Sequence, residues 1–159
     1  MREMPAVQYV VEGGRTLHGT IRPSGNKNAA LPIVAAALLS HKPVHLENVP
    51  HIRDIETLVE LIDSVGAKVE WTGDNSLRIE AQELTARDLD PALCAKIRAS
   101  ILLAAPLLAR CGEIMLPPPG GDVIGRRLLD THFLALEQLG AKHSLENGLL
   151  RLSLKAFRG

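Results

Sequence analysis

The sequence is poor in features that mark several classes of protein. It has one Trp, one Tyr and two Phe in 159 residues, so it offers few rings on which unpaired bases could stack. Its eighteen Lys and Arg are balanced by eighteen Asp and Glu, whereas proteins that bind nucleic acid normally carry a net basic charge. We therefore expect no nucleic-acid or membrane partner, and any bound anion should be small and held by a few cations.

Long apolar runs and paired cysteines are also lacking. No stretch approaches the roughly 18 apolar residues of a membrane-spanning helix, and no apolar run follows the charged N-terminus as it would in a secretory signal. Cys94 and Cys111 do not have metal-ligand spacing, so free thiols are expected in preference to a disulfide. These absences predict a cytoplasmic protein, and the hydrophobic fraction of 46% is typical of a folded one.

What the sequence does contain is an internal repeat. Leu61–Glu70 and Leu136–Leu145 both run from an amphipathic helix through Gly-Ala-Lys into a short strand, about 70 positions apart. Gly66 and Gly140 suit a helix C-terminus, where a residue at positive φ is favoured. A polar turn and a second strand follow in each copy, which predicts two hairpins with second strands at 76–81 and 149–154.

The copies also match upstream, in two segments that are apolar around the whole helical circumference. Residues 29–39 and 99–109 are of this kind, and such helices are buried on all sides. Pro106 should kink the second helix or mark its last turn. Short strands are expected next, at 43–49 and 113–116, and residues 9–21 alternate like a further strand with a turn at Gly13-Gly14.

The predicted fold is α/β, built from a βαβαββ unit that occurs twice with its helices inside and its sheets outside. Residues 21–83 would form the first repeat and residues 84–159 the second. Such units usually need at least three copies to bury their apolar faces. We therefore expect a missing third unit, supplied by a longer chain or by another subunit.

Cations precede both core helices. Lys27 and Arg98 stand where each helix begins, a position that the helix dipole disfavours for positive charge. An anion bound by the helix N–H groups and the cation would offset this cost, although both residues could also simply be solvated there. Asn28 adds an amide suited to a hydroxyl or amide group.

A Gly-rich segment gives a third candidate. Residues 117–127, PPPGGDVIGRR, lead into an amphipathic helix carrying Asp130 and His132, and this junction is slightly longer than its counterpart in the first copy. There the shorter junction contains Asp54, which suits an N-cap. The inserted glycines predict a functional loop, with a flexible surface turn as the alternative. The segment lacks the Gly-Lys-Ser/Thr of a P-loop.

These motifs resemble those of the UDP-N-acetylglucosamine enolpyruvyl transferases. Residues 24–32 (SGNKNAALP) resemble their opening motif, residues 98–101 (RASI) the start of their second helix, and residues 120–132 (GGDVIGRRLLDTH) their catalytic loop and uridine-binding stretch. The likeness runs from about Val11 to Leu154. The enzymes that make 5-enolpyruvylshikimate 3-phosphate share the fold but typically have Lys-Ser where this chain has Lys27-Asn28, so they rank second.

The resemblance implies transfer of the enolpyruvyl group of phosphoenolpyruvate to the 3′-hydroxyl of UDP-N-acetylglucosamine, the committed step of peptidoglycan synthesis. Lys27 would contact phosphoenolpyruvate and Asn28 the amino sugar. Arg98 and Arg127 would hold phosphates or the loop, and Asp130 and His132 would line the uridine site. No metal or cofactor is expected, because side-chain cations hold the phosphates.

Asp122 departs from the family pattern, which usually has cysteine at this loop position. A carboxyl group can still exchange a proton with C3 of the enolpyruvyl group, but its ordinary pKa of about 3.9 would have to be raised for it to act as an acid at neutral pH. A carboxylate is a poorer nucleophile than a thiolate. The resemblance therefore implies resistance to fosfomycin, which alkylates the cysteine.

The chain is shorter than the family's two domains of three repeats. It would supply an N-terminal part, with residues 1–20 giving strands to the other domain, and it should be inactive alone. The end at Gly159, just past a strand, resembles a cut. The missing part of the enzyme or self-association would complete it. Two other interpretations stay open: a non-catalytic nucleotide-sugar-binding or assembly module, and a 5-enolpyruvylshikimate-3-phosphate synthase fragment.

Overall fold

The computed structural model describes residues 8–85, 88–121 and 128–157. Asp122 and Arg127, two of the predicted site residues, lie outside the described residues. The described elements follow in chain order: α1 (Lys27–Ala36), a 3₁₀ segment (Ala37–Leu39), β1 (Val44–Leu46), α2 (Arg53–Ser64), β2 (Lys68–Gly73), β3 (Ser76–Glu80), α3 (Pro91–Cys94), a second 3₁₀ segment (Arg98–Leu103), α4 (Ala104–Cys111), β4 (Glu113–Leu116), α5 (Asp130–Gln138), β5 (Lys142–Glu146) and β6 (Leu149–Ser153).

Two units with the same topology confirm the predicted repeat. Each has a three-stranded antiparallel sheet whose last strand lies in the middle, in the orders β1-β3-β2 and β4-β6-β5. The registers place Val44 opposite Ile79 in the first sheet and Ile114 opposite Leu152 in the second. Ile79, Ile114 and Leu152 are buried and Val44 is partly buried, while alternate residues such as Arg78 and Arg151 carry ion pairs on the outer faces. The alternation fixes which face of each sheet covers the helices.

The same backbone motif ends both amphipathic helices. After α2, Gly66 N–H donates to Asp63 O and Ala67 N–H to Ile62 O; after α5, Gly140 and Ala141 repeat the pattern with Glu137 and Leu136. The two glycines have φ of 95° and 100°, a region that only Gly adopts readily. This is the Schellman arrangement, and it confirms the predicted Gly C-termini.

The two apolar segments form the helical centre. We call residues 27–39 (α1 and its 3₁₀ segment) the first core helix and residues 98–111 (the second 3₁₀ segment and α4) the second core helix. α1 packs against the second 3₁₀ segment, and the first 3₁₀ segment packs against α4, so the two core helices lie side by side and run in the same direction. Val34, Leu38, Leu103, Leu107 and Leu108 are almost completely buried between the elements.

Burial on all sides, however, is wrong for the first core helix. Ile33 is 52% exposed and Leu39 53% exposed, and Ala29, Pro32 and Ala36 on the same stripe are exposed as well. The residues are spaced three or four apart, so they form one uncovered apolar face. The other side of this helix is the buried one, because the two units described contact it from that side only.

Two further expectations differ from the structure. Residues 9–21 form no strand, and Tyr9, Leu17 and Ile21 are largely exposed, since no strand edge lies alongside to pair with them. Pro106 does not mark the last turn, because it lies in the first turn of α4, where a missing N–H is tolerated; the alternative, a kink, stays a prediction. The helix changes from 3₁₀ to α winding just before it. No helix among the described residues has the length and apolar character needed to cross a membrane.

Candidate functional site

A cleft of about 320 Å³ opens where the two core helices begin. It brings together three of the predicted site residues, Lys27, Asn28 and Arg98, which come from different units. The lining also contains Lys96 and Asp54, so among the described lining residues three cations face one carboxylate. Ile97, Leu31 and Leu102 supply apolar walls. The cleft is thus a small cationic site between the units.

Local sequence explains how the first core helix starts here. Asn26 is the N-cap: its backbone is extended, and its side-chain oxygen accepts a hydrogen bond of 3.1 Å from Ala29 N–H. Gly25 precedes it because a Cβ at this position would overlap the carbonyl oxygen of Asn48. The segment therefore lies close against the chain that leaves β1, and this contact directs Lys27 and Asn28 into the cleft.

Asp54 lines the cleft, although the sequence predicted it to be a helix N-cap. It is not the N-cap of α2, since that position is Ile52, which makes no side-chain capping bond. Instead Asp54 lies in the first turn of α2, and its Oδ2 is 2.8 Å from Lys27 Nζ. The two side chains are 40% and 49% exposed, so the pair contributes only about 0–1 kcal/mol. The sequence feature that could have indicated this role for Asp54 is an acidic residue in the first turn of a helix.

The residue at the N-cap of the second core helix makes no side-chain capping bond. Its N-cap is Ile97, in an extended conformation. The nearby Ser100 hydroxyl donates to Ile97 O at 3.1 Å and is fully buried. Arg98 is the first helical residue, as predicted, and the macrodipole at this end favours an added anion.

Two glycines fix the base of the Gly-rich segment beside Arg98. Gly120 N–H donates to Cys94 O at 2.9 Å, and Gly121 N–H donates to Ala95 O at 3.2 Å. A Cβ on Gly120 would overlap the Ala95 carbonyl, and Gly121 has a φ of 87°. Gly121 itself lines the cleft. The described part of the predicted functional loop, residues 117–121, therefore ends at the cleft wall, and residues 122–127 lie outside the described residues.

Asp130 and His132 lie elsewhere. They occupy the first turn of α5, and both are exposed. His132 lines a separate apolar groove with Leu102, Ala105 and Leu139, whereas Asp130 does not line the cleft. Leu102 belongs to both walls, so the groove and the cleft are neighbours. The described residues do not place Asp130 or His132 with Lys27.

Cys94 is buried beneath this region and is not a nucleophile of the cleft. Both cysteines are free in the structure, which confirms the expectation of unpaired thiols. Burial raises the pKa of the Cys94 thiol, and a hydrogen bond with Ser100 opposes that rise to a smaller extent. A raised pKa disfavours the reactive thiolate.

The arrangement suits a phosphorylated small molecule. Side-chain cations and the positive ends of two helices converge on a space too small for a macromolecule, and Arg offers a planar set of donors that matches phosphate oxygens. Asn28 contributes both a donor and an acceptor. The cleft can therefore bind an anion and discriminate a polar group beside it.

Comparison with families of known proteins gives one match that covers most of the chain. The family described as EPSP synthase (3-phosphoshikimate 1-carboxyvinyltransferase) matches residues 11–159. Among curated proteins, the UDP-N-acetylglucosamine 1-carboxyvinyltransferase of Bradyrhizobium diazoefficiens is 73% identical over 139 residues, which are 87% of this chain and 32% of that protein. The protein of the same name from Treponema denticola is 50% identical over 85% of this chain and 32% of its own length.

Solved structures agree on the fold. The enolpyruvyl transferase NikO from Streptomyces tendae superimposes with a TM-score of 0.74 at 27% identity, covering 91% of this chain and 32% of that one. EPSP synthase from Acinetobacter baumannii gives a TM-score of 0.63 at 13% identity, which supports the fold alone. The chain spans about a third of the length of the relatives it matches.

Proposed function

Because the chain belongs to the EPSP synthase (3-phosphoshikimate 1-carboxyvinyltransferase) family, we propose that it builds part of the active site of an enolpyruvyl transferase acting on UDP-N-acetylglucosamine. The observation that carries this proposal is the shared cleft, where Lys27 and Arg98 come from two units and meet at two helix starts. The identity of 73% to a protein named for this reaction supports the choice of acceptor. The product would enter peptidoglycan synthesis and thereby serve the cell wall, cell shape and cell division.

The proposed reaction joins the 3′-hydroxyl of UDP-N-acetylglucosamine to C2 of phosphoenolpyruvate, and phosphate leaves from the tetrahedral ketal. Lys27 and Arg98 hold phosphate oxygens, and Asn28 hydrogen-bonds the amino sugar. Arg127 contributes a further cation. Fixed cations stabilise charge as it develops on the departing phosphate, an effect that is strong where water is excluded.

Asp54 acts in this proposal as a replaceable partner for Lys27. The ion pair is half exposed and weak, so an incoming phosphate competes for the ammonium group at little cost. The carboxylate then keeps Lys27 directed into the cleft when no ligand is bound. This role requires only that Asp54 sits 2.8 Å from Lys27 Nζ, as it does.

Asp122 is proposed to exchange the proton at C3 of the enolpyruvyl group, in place of the cysteine usual in the family. Its position directly after Gly121, a residue of the cleft wall, supports this role. The substitution removes the thiolate that fosfomycin alkylates, and we propose that the complete enzyme resists the compound. Time-dependent inactivation of that enzyme by fosfomycin would contradict the proposal.

Asp130 and His132 are proposed to contact the uridine. His132 lines the apolar groove next to the cleft, and Asp130 lies two residues before it in the first turn of α5, so one extended nucleotide sugar could reach both. Apolar walls such as Leu102 and Ala105 suit the faces of a base. The proposal thus divides the ligand, with phosphates near the core-helix starts and uridine near α5.

A third repeat unit is proposed to cover the remaining apolar faces. The stripe on the first core helix and the groove between the second core helix and α5 are both uncovered, and relatives are about three times as long as this chain. Residues 1–20 would pair with strands of a second domain. Completion by the rest of the enzyme, or by self-association, would be required for turnover in the cytoplasm, and no metal or cofactor is invoked.

Titration with UDP-N-acetylglucosamine, followed by NMR of backbone amides, tests the binding proposal. We expect the amide resonances of Asn28, Ala99 and Thr131 to shift. Arg98→Met should raise the Kd at least tenfold, which corresponds to about 1.4 kcal/mol of binding free energy. Arg151→Met is the matched control, since Arg151 pairs with Glu113 and Glu146 on an outer sheet face. Silence at millimolar ligand would remove the claim that this chain binds the nucleotide sugar.

Shikimate 3-phosphate serves as the competing ligand in the same titration. Shifts with this compound and none with the UDP-sugar would favour the 5-enolpyruvylshikimate-3-phosphate synthase alternative. Phosphate release from phosphoenolpyruvate by the chain alone should be absent. Robust turnover would contradict the view that further units are needed.

A further inference from the structure

Arg110 joins the two units at the end of the core helices opposite to the cleft. It lies in the last turn of α4, and its guanidinium donates to four backbone carbonyls of the first unit and its following segment: Leu38 at 2.6 Å, Ala81 at 2.8 Å, Gln82 at 3.0 Å and Ser40 at 3.4 Å. Nη2 also lies 3.1 Å from His41 Nδ1. One side chain of the second unit therefore contacts two separate segments of the first.

The acceptor carbonyls lie where secondary-structure elements end. Leu38 and Ser40 lie at the C-terminus of the first core helix, where carbonyls are left without intrahelical partners. Ala81 and Gln82 follow directly after β3. A guanidinium carries five donors in a rigid planar fork, so it can satisfy both sets at once. Its charge also suits the negative end of the helix dipole.

The Arg110 hydrogen bonds fix the relative orientation of the two core helices, which apolar packing alone does not define. Hydrophobic contact between the two core helices is non-directional, whereas the Arg110 hydrogen bonds demand one rotation and one register. The opposite ends of the same helices bring two positive dipole ends and the cations Lys27 and Arg98 together. That juxtaposition concentrates positive charge at the helix starts, and a bound anion would offset it.

We propose that Arg110 is a positioning residue for the cleft: it clamps the second core helix to the first unit, so that Arg98 stays beside Lys27. No contact between Arg110 and a ligand is needed, since Arg110 and Arg98 lie at the two ends of one helix. The ligand-dependent part of this inference rests on the proposed function.

The variants Arg110→Met and Arg110→Lys test the clamp in the whole chain. Met removes all five donors and keeps the aliphatic bulk. Lys keeps the charge but presents one compact head that cannot reach both carbonyl pairs. Arg151→Met is the control, because among the described residues Arg151 bonds to Glu113 and Glu146 of its own unit. All proteins are compared at a temperature where they are fully folded.

The first readout needs no ligand. We expect Arg110→Met to shift the amide resonances of Asn28 and Ala99 at the helix starts, while the hairpins β2–β3 and β5–β6 keep their hydrogen-exchange protection. Arg110→Lys should shift the same resonances in the same direction by less. Unchanged resonances in both variants, or an equal loss of protection throughout both units, would overturn the inference.

The second readout is the Kd for UDP-N-acetylglucosamine. Arg110→Met should raise it about tenfold, equivalent to about 1.4 kcal/mol, with partial rescue in Arg110→Lys and no change in Arg151→Met. A wild-type Kd in both Arg110 variants would overturn the positioning role. If the unmodified chain does not bind the sugar, the proposed function fails, while the ligand-free resonances still decide whether the clamp exists.

Discussion

Helices α2 and α5 occupy the same place in the two units, yet their surroundings differ. Each precedes a Gly-Ala-Lys turn and a hairpin. In α2 the residues Ile55, Leu58, Leu61 and Ile62 are completely buried, whereas in α5 only Leu136 is buried and Leu134 is 56% exposed. α2 packs against α1, α3, the second core helix and β2, while β5 is the main neighbour of α5. Both the neighbours and the sequence differ: Leu58 and Leu61 of α2 correspond to His132 and Ala135 of α5, and α2 has more packing partners among the described residues.

The difference shows which unit still has apolar surface that a further unit could cover. Val65 and Leu139 each stand directly before the Gly that ends the helix, but Val65 is fully buried and Leu139 is 41% exposed. Each fully buried aliphatic side chain contributes roughly 1.5–3 kcal/mol. The first unit has gained this energy from its neighbour, and the second has apolar surface still available for another unit.

The largest effect is expected from exchanging the residues that occupy equivalent positions in α2 and α5. Leu61 and Ala135 hold the same position relative to Gly66 and Gly140. We expect Leu61→Ala to lower the free energy of unfolding by about 2–5 kcal/mol, because it leaves a cavity. Ala135→Leu should change it by less than about 0.5 kcal/mol, because Ala135 is exposed. Urea denaturation measures both, and equal effects would contradict the comparison.

The next test concerns a glycine in each unit whose backbone lies very close to another segment of the same unit. A Cβ on Gly25 would overlap Asn48 O, and a Cβ on Gly120 would overlap Ala95 O. Each change to Ala should cost about 1–3 kcal/mol, since backbone must move to make room. Gly13→Ala is the control, as no atom lies within 4 Å of its Cβ position. Denaturation midpoints that match the control would show that the approach is not tight.

A smaller effect separates the two cysteines of the second unit. Cys94 is buried with a raised pKa, and Cys111 is half buried. Iodoacetamide at neutral pH should therefore modify Cys111 and leave Cys94 largely unreacted, because the thiolate is the nucleophile. Peptide mass spectrometry gives the site of alkylation. Both cysteines should react in urea, and preferential labelling of native Cys94 would show that α3 opens readily.

The smallest expected effect lies on the outer faces of the two sheets. Arg151 bridges Glu113 and Glu146 across the second sheet, whereas Arg78 pairs with Glu80 on its own strand. The hydrogen bond from Arg151 lowers the pKa of Glu146 below its ordinary 4.5. A lowered pKa gives stability that is present above about pH 4.5 and is lost as the pH falls.

Glu146→Gln should therefore lower the urea midpoint slightly at pH 7, and its difference from wild type should close in more acidic solution. Glu80→Gln is the comparison variant in the first sheet. A difference that persists unchanged at pH 3 would show that packing, and not the ionised carboxylate, is responsible.

The sequence by itself was sufficient for the repetition and for most of the elements, although it did not predict α3 and wrongly predicted a strand within residues 9–21. Gly66 and Gly140 marked the helix ends because only Gly adopts that φ readily, and the strand from Glu113 to Leu116 was predicted from its place after the second apolar segment of the repeat. The cations at the core-helix starts could also be predicted, since local sequence signals indicate where helices begin. These features depend on residues that are close together along the chain.

Only the tertiary structure decided which of these features meet. The pairing of Lys27 with Asp54, the five contacts of Arg110 and the uncovered stripe on the first core helix all join segments that are distant in sequence. Local propensity carries no information about such contacts, because they depend on how whole units pack. An apolar helix is known from its composition, but which of its sides becomes buried is set by the neighbours that pack against it.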